Sequence, residues 1–264
     1  MKIYINLLLF TLYVTETFRD TLRRLKELGA DGVEVPLFEG SVDHYQTVGA
    51  MIREEGLEVS AVATVNADND PSSHEETIRR AGVDLLKQRV DWTAALGAKI
   101  LCGPLVLPWG QRPSGLVGHL LADHIEGRLG RATQSLTEVL LYAQAPGIQV
   151  CNEYLVGYEL PGCNRIADAV MLAEAVNQPN FGVLIDTSHE TTYGRGPEAF
   201  TRSVKKLAEA KRPIWFHASK TGDRGDFTQS WINFQEILFD LKWHGGWRGP
   251  TVIEIFDAAE PFAS

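Results

Sequence analysis

Four side chains able to donate to a cation or move a proton stand at the ends of short apolar runs: Glu153 in IQVCNEY, Asp186 in FGVLIDTS, His217 in PIWFHAS and Glu254 in PTVIEIF. Three carboxylates drawn close together repel one another and raise each other's pKa unless a cation neutralises them. The run ends themselves carry almost no lysine or arginine to do so. Three oxygen donors with one imidazole nitrogen suit Mn²⁺, Mg²⁺ or Co²⁺ better than a thiolate-seeking zinc site. A divalent metal is therefore the expected cofactor.

A second set accompanies the first. Glu159 follows Glu153 in the next loop segment, His189 lies just beyond Asp186, and Arg224 stands in the glycine-containing loop after His217. Arginine and histidine can donate to the hydroxyls of a bound polyol, and glutamate can accept from them. Ordinary solvated loop charge is the alternative for all three. Trp109, in GPLVLPWG, offers either an aromatic wall for a ligand or a plug over the top of a barrel. Glu34, closing GVEVPL, faces inward and could support the site or touch a ligand directly. His44, His74, His119, His124 and His244 fall in helical or loop patterns and receive no role. No phosphate-binding glycine motif follows any strand.

The elements that must position these residues come from an alternation of apolar, β-branched runs with longer helical patterns, the mark of a parallel sheet with helices packed outside. The eight strand candidates are KIYINL, DGVEVPL, EVSAVATV, AKILCGPL, IQVCNEY, FGVLIDTS, PIWFHAS and PTVIEIF. Helical patterns lie between them at about 16–28, 43–55, 74–96, 117–144, 163–177, 197–210 and 231–242. ELGADGVEV, EEGLEVSAV, ALGAKILCG and APGIQVCNE each place a glycine just before a strand, where a helix stops. A (β/α)8 TIM barrel needs about 250 residues, and the chain has 264. No linker divides it, so residues 1–264 read as one barrel domain. After the eighth strand only DAAEPFAS remains, so the eighth outer helix is expected to be missing or truncated: either the chain is shortened relative to its relatives, or a partner subunit or another helix covers that flank. Active sites of such barrels sit at the C-terminal strand ends. Strands five to eight then bring the four candidates to one side of the mouth.

The bulk properties exclude other classes. A formal net charge of −9 with no basic run is unfavourable for binding nucleic acid. Cys102, Cys151 and Cys163 form no zinc-type spacing and cannot all pair, which favours a reducing cytoplasm. The apolar opening MKIYINLLLFTLYV lacks the small-residue cleavage site of a secretory signal and reads better as a buried first strand. Nothing else approaches the span of about 20 apolar residues that crosses a bilayer.

On GPLVLPWG, NEYLVGYE, LIDTSH, FHAS and the IEIF glutamate, the chain resembles the ketose 3-epimerases over nearly its whole length. These are the D-tagatose, D-psicose (allulose) and L-ribulose 3-epimerase group of the xylose-isomerase-like barrels. The resemblance implies a divalent metal, commonly Mn²⁺, held by Glu153, Asp186, His217 and Glu254. It implies sugar hydroxyls bound by Glu159, His189 and Arg224, and a homodimer or homotetramer. The implied reaction inverts C3 of a free ketose through an enediolate, Glu153 and Glu254 serving as acid and base on the two faces. Within the same superfamily, an inosose dehydratase or isomerase or a hydroxypyruvate isomerase would use a similar cluster. A related DNA-repair endonuclease would need more histidines and a less acidic chain, and a barrel without catalysis would serve binding alone.

Overall fold

The computed structural model describes residues 1–109, 117–157, 159, 162–194, 196–220, 224–225 and 232–256. Eight strands form in the expected places: β1 (Ile3–Asn6), β2 (Gly32–Pro36), β3 (Glu58–Val62), β4 (Ile100–Gly103), β5 (Gln149–Glu153), β6 (Phe181–Asp186), β7 (Ile214–Ala218) and β8 (Thr251–Ile253). Each pairs in parallel with the next, and β8 pairs back onto β1, Tyr4 opposite Val252, to close the barrel. Closure removes every sheet edge. It also covers both faces of each strand, which is why β2 and β6 are buried along their whole length.

The outer layer comprises α1 (Arg19–Glu27), α2 (Val42–Glu54), α3 (Glu76–Leu96), α4 (Val117–Gln144), α5 (Ile166–Val176), α6 (Thr187–Tyr193), α7 (Pro197–Glu209) and α8 (Phe234–Trp243). The seven expected helical stretches are all present, with ends shifted by a few residues; the first begins as a 3-10 turn at Glu16–Phe18. At the end of α3, Gly97 takes φ 84° and its N–H reaches Thr93 and Ala94 carbonyls, the left-handed stop that a side chain would resist. The short α6 was not expected. The Asp186 carboxylate starts it by accepting from the Ser188 and His189 amides. The expectation about the eighth outer helix falls on residues 257–264, outside the described residues. Among the described residues no helix is long and apolar enough to cross a membrane, and all three cysteines are free and buried.

The barrel interior is packed rather than open. Tyr4, Val62, Cys102, Cys151, Leu184, Trp215 and Val252 form one buried cluster, with Tyr4 edge-on to Trp215 at 6.1 Å. Side chains two positions apart on a strand share a face. One level nearer the C-terminal mouth, the same inward face therefore turns polar at Asn6, Glu153, Asp186, His217 and Glu254, all of them buried.

Candidate metal centre

Asp186 and His217 stand side by side in the β6–β7 register. Glu153 ends β5, and Glu254 follows β8 directly. One ligand atom from each of Glu153, Asp186, His217 and Glu254 lies within 4.8 Å of all the others. The two ring nitrogens of His217 face opposite ways: Nδ1 is 3.1 Å from Glu254 Oε1, and Nε2 is 2.7 Å from Glu34 Oε1. Burial disfavours the imidazolium, but the Glu34 and Glu254 charges outweigh it and hold the His217 pKa well above the usual histidine range.

The carboxylates are braced individually. Asp186 Oδ1 accepts from the Ser188 amide at 2.7 Å, the His189 amide at 3.2 Å and the Ser219 hydroxyl at 2.6 Å. Arg224 Nη2 donates to Asp186 Oδ2 at 3.2 Å and also to Glu254 Oε2. Burial works against ionisation of Asp186, yet the Arg224 and His189 charges and these donors win and hold it below the ordinary carboxylate range. Glu153 behaves oppositely. Burial raises its pKa, the neighbouring Glu254 and Asp186 charges add to that, and the contact with His189 Nε2 at 3.2 Å only partly offsets them.

Beside this cluster lies a cavity of about 560 Å³, a size suited to a small ligand. Glu153, Glu159, His189, Arg224 and Glu254 line one side. Leu8, Leu12, Phe38, Val62, Pro104 and Trp109 line much of the other. Burial lifts the Glu159 carboxyl above the usual range. Arg224 reaches His189 Nε2 at 3.3 Å and lies over the Phe256 ring at 5.0 Å. Among the described residues, His189 Nδ1 and Arg224 Nε are buried and meet no hydrogen-bond partner.

Eight of the nine residues singled out from the sequence thus gather at one mouth. Trp109 is 42 % exposed, so it forms a rim of the cavity rather than a plug. Glu34 is 0 % exposed and touches His217 instead of the cavity. Sequence reasoning missed Asn6, whose amide donates to both Glu254 at 3.0 Å and Glu34 at 3.3 Å. It also missed Glu190, the buried residue that follows His189 in α6 and accepts from the Tyr154 hydroxyl at 2.9 Å. The cue for Asn6 was available, since it ends the first strand as the four candidates end theirs.

Comparison with known proteins agrees with this architecture. The model of the xylose isomerase-like TIM barrel family matches residues 22–263. The chain is 28 % identical over 244 residues to a ketose 3-epimerase of Arthrobacter globiformis, covering 92 % of this chain and 79 % of that one. A candidate sugar phosphate isomerase/epimerase from Anabaena variabilis ATCC 29413 superposes with a TM-score of 0.88 at 29 % identity, over 97 % of this chain and 84 % of that one. The D-allulose 3-epimerase of Methylomonas sp., solved with D-allulose, shares the fold with a TM-score of 0.83 at 21 % identity, over 98 % and 85 % of the two chains.

Proposed function

The chain belongs to the xylose isomerase-like TIM barrel family, and from that premise we propose that it is an epimerase that inverts C3 of a free ketose with the help of a divalent cation. One observation carries the reading: Glu153, Asp186, His217 and Glu254 converge within 4.8 Å at the end of a cavity about 560 Å³ in volume. Three buried carboxylates and one imidazole fit a hard or borderline divalent ion such as Mn²⁺, Mg²⁺ or Co²⁺, and the resemblance to the ketose 3-epimerases favours Mn²⁺. Those four residues would hold it. When bound, the cation supplies positive charge that acidifies the proton at C3 and offsets the negative charge of the enediolate.

The protein's own groups do the rest. Glu153, its pKa lifted by burial, and Glu254 form the acid and base pair, one removing the C3 proton and the other returning a proton on the opposite face. Arg224 and His189 line the cavity and can donate to sugar hydroxyls, and Glu159 accepts from another. Trp109 and the apolar side exclude water from the rest of the sugar. The free thiols suit a cytoplasmic setting.

The test is conversion of fructose, psicose, tagatose, sorbose, ribulose and xylulose by protein stripped with chelator and reloaded with Mn²⁺. The expected outcome is a C3 epimer from at least one sugar, absent from the stripped protein. Metal uptake without any epimer would reject the reaction while keeping the centre.

A further inference from the structure

Glu34 sits beneath the metal centre with no exposed surface. Its Oε1 accepts from His217 Nε2 at 2.7 Å and Asn6 Nδ2 at 3.3 Å. Its Oε2 accepts from Ser60 Oγ at 2.9 Å, Trp215 Nε1 at 2.9 Å and Cys102 Sγ at 3.1 Å. A carboxylate offers about four lone-pair sites, so these five donors leave none for a cation or a substrate.

The donors differ in what they can do instead. The Trp215 indole can only donate, and the Asn6 amide is fixed in orientation because its Oδ1 accepts from the Leu8 amide at 2.9 Å. Ser60 and Cys102 can turn to accept. His217 alone can carry its proton on either nitrogen. Resting on the metal-centre reading above, we propose that Glu34 is a positioning residue: it keeps the His217 proton on Nε2 and so presents Nδ1, beside Glu254, as a bare donor to the cation. A carboxylate behind a ligating imidazole fixes both its tautomer and its orientation.

Glu34→Gln tests this with little change of shape. The new amide cannot satisfy both fixed donors; with its oxygen on the nearer one, the Trp215 N–H at 2.9 Å rather than Asn6 Nδ2 at 3.3 Å, its NH₂ faces His217 Nε2. The ring then answers by accepting there and moving its proton to Nδ1, where the cation should bind. Mn²⁺ affinity of the full chain, followed from the free-ion electron spin resonance signal, is expected to fall by about 10–100-fold. Adding Trp215→Phe removes the N–H that dictates the amide's orientation. The NH₂ can then turn toward Ser60, and the double variant is expected to bind Mn²⁺ more tightly than Glu34→Gln alone. Two lesions of a merely structural kind would add instead. In the unmutated chain loaded with Mg²⁺, ¹⁵N spectra of labelled histidine should show His217 protonated at Nε2, a measurement that stands even if the variants do not fold.

Parent-like Mn²⁺ binding by Glu34→Gln, a double variant weaker than the single one, or a proton on Nδ1 in the parent would each overturn the assignment. A parent that takes up no Mn²⁺ overturns the metal centre and Glu34's role together. Mn²⁺ lost in Asp186→Asn but retained in Glu34→Gln overturns the role of Glu34 alone.

Discussion

The side of the cavity built on β5–β8 presents Glu153, Glu159, His189, Arg224 and Glu254 beside Leu155 and Phe256, whereas the side built on β1–β4 presents Leu8, Leu12, Phe38, Val62, Pro104 and Trp109 with Thr64 among them. Charge taken out of water is costly unless each group is paired, so the first side comes with a supporting layer: Ser219 and the α6 amides on Asp186, and Asn6 on Glu254. The second side needs no such layer and contributes by fit and dryness. Under the proposed reaction, a ketose lying between them would meet fixed charge where a proton moves and mainly apolar surface elsewhere. The two sides should therefore fail differently when mutated, one in turnover and the other in binding.

Substitutions on the charged side test that contrast most strongly. Glu153→Gln and Glu254→Gln are each expected to lower kcat by about 10²–10⁴-fold, with a much smaller change in KM, in steady-state assays of the preferred ketose. Should KM rise while kcat holds, the assignment of chemistry to this side would be wrong.

The next effect lies behind it. Burial lifts the Glu190 carboxyl from 4.5 to about 7, only partly offset by the Tyr154 hydroxyl and the Ile166 amide. The folded state thus binds this proton more tightly than the unfolded state does. Glu190 is neutral at no penalty below pH 4.5, and stability falls as pH rises through the window up to about 7. Glu190→Gln keeps an acceptor for Tyr154 and removes the ionisation. Urea unfolding should find the variant more stable than the parent by up to about 3 kcal/mol at alkaline pH, the gain vanishing in acid. A gain independent of pH would separate Glu190 from the cost of buried charge.

The apolar side should give the smallest change. Trp109→Ala is expected to raise KM about tenfold with kcat nearly kept, the signature of lost uniform binding. An equal loss in kcat would show that this wall also acts in the transition state, and the division between the two sides would have to be redrawn.

The same division governs what the sequence reveals. The strands and the charged rim are legible because a strand alternates faces: a polar residue closing a buried run, such as Asp186 in FGVLIDTS, has the mouth as its destination. Pairing across the barrel is not legible. Nothing local to GVEVPL marks a partner for Glu34, and Trp215 lies 181 residues away. The helix α6 escapes notice because TSHETTY has no apolar period; it exists through the Asp186 cap, and Glu190 is hidden with it. Leu8, Leu12 and Phe38 read as ordinary core residues, since periodicity separates buried from exposed but not a cavity wall from a packed interior.

Asn6 and Glu254 meet where the last strand closes against the first, 248 residues apart along the chain. So distant a contact forms late, because the entropy of closing the intervening loop must be met before the contact offers any return. A chain still being synthesised has Asn6, Glu34 and Glu153 in hand long before Glu254 exists. The proposed acid and base pair is thereby tied to completion of the barrel, and an unfinished copy would lack one of the two groups that the proposed reaction needs.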